Sequence, residues 1–554
     1  MIYSRLSVRV RAIRAVRAVR AVPSRSFWST TVLLDDCSSC GVTLQDKDAG
    51  KIGYWPGTKA SSSRVTIEDV KYLLFGQDIQ RIKETVVPDS TSLEHRPPVC
   101  QRCSDALYKN KYDLKDFEDV PYTTLLEKIP RDSNVVHVVP ITEFPFHLNL
   151  PLLKDRQYNS SVVFTKADQV FRIKSQVHKA APQFLREFML RYLNIDTQKT
   201  IAVSATKNWN IETFFALLKA NTFLIGEPNS GKSTLINSLL NKFVGFKLKD
   251  RTGRKLEVDE KMLEDLNNNK KVFIRKQMAG VSHIPNLTRE QQAFQIKDKL
   301  LFDLPGYRKD SAIGTHDILE NLIHPKWLQR MRKTQLFDNR KVKKQSYESI
   351  NGSENGRCIT FGGIFFLVPP PGSINQVISF LPGEMKQFHS VDRGIETLMN
   401  AQNKDHPLNK YCGLKAQVTK EDYVRYIVPP FQGSIEIVLK DLGYFKLKAT
   451  GRYEFKGLYE IWLPKGIQAC IRKPLEKMVD FFYQESQEKD RTESTVFKEP
   501  LFSNVYPVAH DDQFPLDTLN KAVITPRFEP SIGSDDHTPG DRLGADKRYW
   551  TYKF

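Results

Sequence analysis

Short apolar runs alternate with amphipathic stretches through the middle of the chain. The runs occupy 134–141, 160–165, 199–205, 221–226 and 299–306, and helical patterns lie between them at 179–193, 211–220 and 231–241. Brief apolar runs separated by helical patterns are typical of buried parallel strands. The pattern predicts a doubly wound α/β domain over 119–312.

The periodicity changes after this region. Stretches 356–372 and 434–464 show aromatic alternation with glycine turns, which predicts a β-rich, α+β C-terminal domain over 313–532. Residues 533–554 are polar and are predicted to be a disordered tail. No run of about 18 apolar residues occurs, so we expect no transmembrane segment.

The first 27 residues differ in composition from the remainder. Arginine recurs at Arg11, Arg14, Arg17 and Arg20 between Val and Ile residues, and the first acidic residue is Asp35. An arginine-rich, serine-containing, acid-free terminus indicates a mitochondrial transit peptide, and hence the matrix. A basic RNA-binding arm is the alternative interpretation.

The net charge of +19 favours a polyanionic partner, either nucleic acid or an anionic membrane surface. Part of this charge belongs to the predicted transit peptide. A further basic stretch at 326–344 could neutralise phosphates, or it could be a solvated helix face.

Four of the seven cysteines form two C-x-x-C pairs, Cys37 with Cys40 and Cys100 with Cys103. Two such pairs can hold zinc tetrahedrally, which predicts a zinc-finger segment over 28–118. Disulfides or unliganded thiols are the alternative, and the separation of the pairs exceeds that of a compact zinc ribbon.

A phosphate-binding loop is predicted at 226–233, "GEPNSGKS", between an apolar run and a helical pattern. Lys232 would reach the β- and γ-phosphates, and Ser233 would supply an oxygen to Mg²⁺. The residues predicted to line the nucleotide here are Gly226, Asn229, Ser230, Gly231, Lys232, Ser233 and Thr234.

Two later features complete a phosphate-sensing site. In "DLPG" at 303–306, Asp303 would hold Mg²⁺ through water, and the Gly306 amide would contact the γ-phosphate. Thr288, between the loop and this motif, is the candidate switch threonine for γ-phosphate and Mg²⁺.

The guanine-recognition motif is predicted at 165–168, "TKAD". Asp168 would accept hydrogen bonds from guanine N1 and N2, which adenine cannot offer, and the stem of Lys166 would cover the base. Ser204 and Ala205 end a later strand, where the Ala205 amide would meet guanine O6. Together these motifs favour GTP over ATP.

The motifs occur in a shifted order, with base recognition before phosphate binding. This order predicts a circularly permuted GTPase that was cut after the D-x-x-G segment and before 134–141.

The N-terminal pattern C-x-x-C-G-V-x-L-Q, G-Y-x-P-G and C-Q-R-C, followed by permuted GTPase motifs and a β-rich domain, resembles the YqeH-type circularly permuted GTPases. With the predicted transit peptide, the chain resembles a fungal mitochondrial branch of that family. The resemblance implies a zinc finger and a role in assembling the mitochondrial small ribosomal subunit. It also implies rRNA maturation, with the small-subunit rRNA and ribosomal proteins as partners.

Three positions depart from the family or from other GTPases. Thr165 replaces the usual Asn of N-K-x-D, and 285–288 replaces P-G-T-T, so that only Thr288 carries over. Tyr307 follows D-x-x-G where many GTPases place a water-orienting Gln. In related enzymes without that Gln, the phosphate-loop Asn helps to hold K⁺. The resemblance therefore implies slow, K⁺-stimulated hydrolysis with Asn229 as the K⁺ ligand.

Two other functions stay open. The chain could be a non-hydrolysing RNA-binding scaffold that uses nucleotide for stability. It could also organise the inner membrane through a peripheral association linked to prohibitins.

Overall fold

The computed structural model describes residues 36–56, 98–109, 111–112, 117, 120–197, 199–243, 279–281, 284–308, 315–332, 346–381, 384–450, 457–488, 494–524 and 549–552. The predicted transit peptide at 1–27 and the basic residues at 333–344 lie outside these residues.

A largely parallel sheet forms the part of the chain that carries the predicted nucleotide-binding motifs, here called the nucleotide-binding part. The strands of this sheet are β2 (Asn134–Pro140), β3 (Asn159–Thr165), β4 (Thr200–Ala202), β5 (Asn221–Ile225), β6 (Gln292–Ile296) and β7 (Lys299–Asp303). A separate short pair, β1 (Val120–Pro121) and β8 (Tyr307–Arg308), flanks them in sequence. The six strands of the sheet lie in the order β4-β3-β2-β5-β7-β6, and only β6 is antiparallel to its neighbour. The prediction of parallel strands is confirmed for β2, β3, β4, β5 and β7.

Burial along these strands follows their place in the sheet. Six of the seven residues of the central strand β2 are buried, because helices cover both of its faces. Edge strand β6 instead alternates between exposed and buried residues in its second half. The polar QAFQI sequence of β6 gave no sequence signal, so the sequence analysis missed this strand.

Six helices precede or connect these strands within the described residues. They are α1 (Gln101–Tyr108), α2 (Tyr122–Glu127), α3 (Leu150–Lys154), α4 (Ala181–Glu187), α5 (Ile211–Leu217) and α6 (Lys232–Phe243), and α4 is flanked by π-helical turns Gln176–Ala180 and Phe188–Tyr192. Helix α6 buries Leu235, Ile236, Leu239 and Leu240, whose spacing places them on one face against the sheet.

The C-terminal part contains two antiparallel sheets of six described strands each. Its strands are β9 (Ser346–Asn351), β10 (Cys358–Thr360), β11 (Phe366–Val368), β12 (Ile374–Ser379), β13 (Lys386–Phe388), β14 (Tyr423–Val428), β15 (Ser434–Leu439), β16 (Gly443–Thr450), β17 (Tyr459–Pro464), β18 (Ala469–Arg472), β19 (Phe502–Asn504) and β20 (Tyr506–Val508). Its helices are α7 (Thr315–Leu322), α8 (Pro325–Arg332), α9 (Val391–Asn400), α10 (Leu475–Gln487) and α11 (Pro515–Ile524). The sheet orders are β13-β10-β11-β17-β14-β20 and β19-β18-β15-β16-β12-β9, which agrees with the β-rich prediction.

An aromatic core joins the two parts of the chain. Phe144 makes edge-to-face contacts with Phe164 and Phe188 of the nucleotide-binding part and with Phe502 of strand β19. All four rings are buried in one cluster. Since aromatic side chains carry large apolar areas, this cluster fixes the C-terminal sheets against the nucleotide-binding part.

Arg472 adds a buried ionic contact to the same interface. Its guanidinium donates to Glu436 at 2.8 Å and to the carbonyls of Ile141 at 3.0 Å and Phe144 at 2.5 Å. The side chain is fully buried. A buried charge is tolerated only with such partners, so Arg472 specifies how strand β18 sits on the loop after β2.

The predicted disorder of 533–554 is wrong for its last described residues. Tyr549 is buried, its hydroxyl donates to Asn520, and the Trp550 indole donates to the Pro430 carbonyl. The Asn504 amide also donates to the Thr551 carbonyl. Burial of these aromatic rings offsets the entropy cost of ordering the chain end.

Among the described residues, we find no helix with the length and apolar content needed to cross a bilayer.

Candidate functional site

Strand β2 separates the strand of the guanine-recognition motif from that of the phosphate-binding loop. Its Pro140 pairs with Thr165 at the end of β3, and its His137 pairs with Ile225 at the end of β5. Parallel strands place their carboxyl ends on one edge of a sheet, and ligands of open α/β sheets bind there. The two motifs therefore meet despite their inverted order in the chain.

Thr165 forms the direct contact between the two motifs. Its hydroxyl donates to the Ser230 carbonyl at 2.5 Å and lies 3.4 Å from the Val139 carbonyl. Both Thr165 and Ser230 are buried. The hydroxyl therefore links the end of strand β3 to the phosphate-binding loop.

The other base-recognition residues lie beside Asp168. The Thr206 hydroxyl donates to the Asp168 carboxylate at 3.2 Å and lies 3.2 Å from the Ser204 hydroxyl. Ser204 in turn accepts from the Lys207 amide, which closes the turn that carries Ala205. The structure thus brings 165–168 and 204–207 together, as the sequence predicted. Lys166 has a left-handed φ of 58° and points its ammonium toward Glu143 at 3.5 Å.

The phosphate-binding loop links β5 to α6. Gly226 follows the strand, Asn229 and Ser230 form the turn, and Lys232 begins the helix, followed by the half-buried Thr234. The Lys232 ammonium donates to the carbonyls of Gly226 at 2.8 Å and Glu227 at 3.2 Å. Burial lowers the pKa of Lys232 to about 8, although Asp303 and Glu227 favour its charge.

Ser233 and Asp303 form the predicted magnesium-binding pair. The Ser233 hydroxyl donates to Asp303 Oδ2 at 2.8 Å, and Asp303 Oδ1 is buried without a hydrogen-bond partner. Burial raises the pKa of Asp303 to about 6. A buried carboxylate oxygen beside a serine hydroxyl at the end of a strand is a donor set that fits Mg²⁺.

The switch segment, residues 284–292, lies against both phosphate-sensing loops. Asn286 has a left-handed φ of 56°, which asparagine tolerates, so it replaces the glycine of P-G-T-T at this position. A Cβ atom on Gly306 would lie 2.9 Å from both Asn286 Oδ1 and Pro228 Cγ. Only glycine fits this close approach. Thr288 is buried and follows Asn286, the residue that lies against Gly306 of the D-x-x-G motif, by two positions.

Tyr307 is a buried residue next to the D-x-x-G motif. Its ring is buried 5.7 Å from the ring of Tyr122, and its strand β8 pairs with β1. Burial raises the pKa of this phenol well above its usual range. The side chain is therefore packed as a core residue. Asn229 has a φ of 58°, and its Nδ2 atom is buried without a hydrogen-bond partner.

The four predicted zinc ligands converge in what we call the four-cysteine site. The sulfur atoms of Cys37, Cys40, Cys100 and Cys103 all lie within 4.8 Å of one another, and each residue is buried. Cys40 and Cys100 have sulfur atoms 3.9 Å apart, against about 3.8 Å for tetrahedral zinc thiolates. The Cys100 amide donates to Cys37 Sγ at 3.3 Å. The donor set and its spacing fit zinc.

Two family models for genetic interactor of prohibitins 3 match the chain, the N-terminal domain over residues 36–117 and the C-terminal domain over residues 345–533. A third model, described as a 50S ribosome-binding GTPase, matches residues 221–274. The curated relative "Genetic interactor of prohibitins 3, mitochondrial" from Candida glabrata is 51% identical over 503 residues, covering 90% of this chain and 94% of its own length. The relative of the same name from Saccharomyces cerevisiae strain S288c is 45% identical over 512 residues, covering 90% and 92%.

The chain belongs to the genetic interactor of prohibitins 3 family. Its central part is a P-loop GTPase domain. The relatives are named mitochondrial, which agrees with the mitochondrial location predicted from the sequence. The prediction of this fungal family is confirmed. A solved structure of GDP-bound YlqF matches 35% of this chain and 60% of its own length, at 14% identity and a TM-score of 0.19.

A buried charged cluster links this GTPase domain to the C-terminal part. His147 lies 2.9 Å from Glu143, 3.2 Å from Glu227 of the phosphate-binding loop and 3.7 Å from Asp441 of the β15–β16 turn. Burial disfavours the protonated form of His147. The attraction of Glu227 and Glu143 is larger than this effect and raises the pKa of His147 to about 10. Sequence analysis missed this cluster because a single histidine in a loop gives no signal.

The charges of this cluster balance without a metal ion. Protonated His147 and two lysines, Lys166 and Lys440, face the three carboxylates. Although Glu143, His147 and Asp441 lie close enough to share an ion, the histidine already provides the countercharge. We therefore interpret the cluster as an ionic joint between the phosphate-binding loop and the C-terminal part.

Replacing Thr165 with Val should weaken GTP binding by about 1–3 kcal/mol, because the buried Ser230 carbonyl loses its donor. Thr165→Asn should preserve binding. Titration calorimetry measures this, with Thr200→Val at the amino end of β4 as the control. A Thr165→Val affinity within about twofold of the wild type would contradict the role assigned to the hydroxyl.

The raised pKa of His147 predicts an alkaline loss of stability. The contribution of protonated His147 to the free energy of unfolding is fully present below its unfolded pKa of 6.5. This contribution is lost as pH rises through its folded pKa of about 10. The wild-type thermal midpoint should therefore fall across this interval more steeply than that of His147→Gln. His178→Gln, at an exposed histidine, is the control. Parallel pH curves for wild type and His147→Gln would contradict the ionic joint.

Proposed function

We propose that this protein is a circularly permuted, GTP-hydrolysing switch that acts in assembly of the small ribosomal subunit in the mitochondrial matrix, including maturation of its rRNA. The observation that carries the proposal is the hydrogen bond from Thr165 to the Ser230 carbonyl. It joins a guanine-recognition motif to a phosphate-binding loop that follows it in sequence.

The proposed domains are a transit peptide over 1–27, a zinc finger over 28–118, the permuted GTPase domain over 119–312 and an RNA-binding domain over 313–532. Support for the permutation comes from the sheet, in which β3 and β4 precede β5 along the chain yet complete its site. The sheet depends on contacts between strands and not on their order in the chain.

In this proposal, each site residue has one role. Asp168 and the Ala205 amide bind guanine, with Ser204 holding their turn, and Lys166 covers the base. Lys232 leaves its loop carbonyls to bind the β- and γ-phosphates. Ser233, Asp303 and Thr288 would hold Mg²⁺, which when bound neutralises charge that develops on the phosphates. The Gly306 amide contacts the γ-phosphate.

Hydrolysis is proposed to be slow and K⁺-stimulated. Tyr307 is buried beside Tyr122 and so leaves water orientation to other groups. Asn229, in the phosphate-binding loop with a left-handed backbone, would supply a K⁺ ligand from its side-chain oxygen. An ion at this position adds positive charge where the transition state develops negative charge.

The C-terminal part offers a basic surface for rRNA. Lys326 and Arg330 are exposed one turn apart on α8, and Lys404 and Lys415 are exposed on the neighbouring loop. Burial lowers the pKa of His324, and the charges of Lys326, Lys415 and Lys404 lower it further, so these three lysines lie near one histidine. Clustered exposed lysines and arginines neutralise phosphates, so this surface supports the assignment of an RNA partner.

Two other functions have specific support. A non-hydrolysing RNA-binding scaffold would use the same basic surface and bind nucleotide for stability alone. The name of the relatives refers to prohibitins, which favours a peripheral role at the inner membrane. Salt extraction of mitochondrial membranes, compared with sedimentation alongside small and large ribosomal subunits, separates these locations.

Lys232→Ala tests the hydrolysing switch against the scaffold. We expect at least tenfold weaker GTP binding, because charge-assisted phosphate contacts contribute about 1.5–3 kcal/mol, and loss of turnover. Small-subunit rRNA precursors should accumulate in mitochondria that carry only this variant. Lys219→Ala, at an exposed lysine before β5, is the control.

Normal small-subunit assembly in Lys232→Ala mitochondria, despite lost turnover, would favour the scaffold. Wild-type hydrolysis is expected to be faster in K⁺ than in Na⁺ buffer, and equal rates would contradict the role of Asn229. RNA crosslinking of the intact protein in mitochondria then identifies the bound rRNA, and crosslinks to large-subunit rRNA alone would contradict the assignment to the small subunit.

A further inference from the structure

The switch segment is held from one side by the four-cysteine site. The amides of Arg289 and Glu290 both donate to the Cys40 carbonyl, at 3.0 and 3.1 Å. The side chains of Ile284 and Leu287 belong to the same buried cluster as the four cysteines. The N-terminal segment therefore forms part of the surface on which the switch segment packs.

Close packing continues just before the switch segment. A Cβ atom on Gly280 would lie 2.5 Å from the Ser39 carbonyl oxygen, which sits between the first two cysteines. Displacement of the turn at 37–40 therefore displaces the backbone that leads into the switch segment.

Arg102 connects the second pair of cysteines to the switch segment. Its Nη2 atom donates to the Leu287 carbonyl at 3.3 Å and lies 3.7 Å from Cys103 Sγ. Its guanidinium stacks 4.6 Å from the ring centre of Phe117, whose carbonyl accepts from Asn286 Nδ2 at 3.1 Å. One side chain thus contacts a predicted zinc ligand and the residue immediately before Thr288.

The opposite side of the switch segment faces the nucleotide site. Asn286 lies against Gly306 of the D-x-x-G motif, and Gly306 lies against Pro228 of the phosphate-binding loop. The switch segment therefore lies between the nucleotide site and the four-cysteine site and contacts both, so a change at the γ-phosphate can pass through it. Two sites that bias the same segment are linked in free energy, and this linkage is reciprocal.

We propose that Arg102 is a positioning residue that holds Thr288 in place, so that γ-phosphate binding and zinc retention at the four-cysteine site reinforce each other. This inference rests on the proposed function of GTP binding. It adds that the N-terminal segment responds to the nucleotide state, through contacts that the GTPase motifs do not include.

The first experiment uses the full-length wild-type protein loaded with zinc. Zinc release to a colorimetric chelator is timed with saturating GDP and with a non-hydrolysable GTP analogue. Coupling between sites is typically 5–150-fold, so we expect at least about fivefold slower release with the analogue. Equal release rates, with both nucleotides shown to be bound, would overturn the inference.

Variants then test Arg102 itself. Arg102→Met keeps the apolar stem but removes the donors, so the ratio of the two release rates should fall toward one. Affinity for the GTP analogue should fall while GDP affinity stays unchanged, since GDP lacks the γ-phosphate that Thr288 is proposed to sense. Arg102→Lys should restore part of the ratio. Lys109→Met, at an exposed position after the same helix, is the matched control.

An unchanged release ratio in Arg102→Met, at full zinc content, would overturn the role of Arg102. The wild-type comparison needs no variant, so the linkage is still tested if Arg102→Met does not fold. A wild-type protein that binds neither nucleotide would overturn the proposed function, and with it the inference. Normal nucleotide binding with equal release rates overturns the inference alone.

Discussion

The parallel pairing of β2 with β3 on one side and with β5 on the other is the constraint on which the site depends. It fixes Thr165 beside Ser230, so the predicted base-recognition motif meets the phosphate-binding loop although it precedes that loop in the chain. The short Thr165 hydroxyl then completes a contact that the sheet register has already brought within reach. The inverted motif order is therefore compatible with a complete site.

Two parts of the chain outside the sheet hold the nucleotide loops from different directions. The C-terminal sheets reach the phosphate-binding loop through Lys440, which pairs with Glu227, and through Asp441, which lies beside His147. Their position is fixed by the Phe144 cluster and Arg472. The four-cysteine site reaches the switch segment through Cys40. Both parts therefore contact the loops that carry the predicted site residues.

The sequence predicted those elements that are defined by residues close together in the chain. A strand, a glycine-containing loop and a helix define the phosphate-binding loop, and short apolar runs define the buried strands β2, β3 and β5. Both cysteine pairs were also predicted to converge, and they do.

Features that depend on long-range packing could not be predicted in this way. Edge strand β6 has a polar face, so its apolar signal is weak. The pKa of His147 is raised because Glu227 and Glu143 lie beside it after folding. The ordered Tyr549 and Trp550 find their partners across the C-terminal sheets. The position of the switch segment on the four-cysteine site is likewise a tertiary contact.

Nucleotide selectivity of Asp168→Asn tests the central claim most directly. The carboxylate of Asp168 should accept from guanine N1 and N2, whereas an asparagine amide can donate to the carbonyl that xanthine carries at C2. Competition binding should therefore show a wild-type preference for GTP over xanthosine triphosphate and a reversed preference in Asp168→Asn. An unchanged preference in the variant would contradict guanine recognition by this residue and the site built around it.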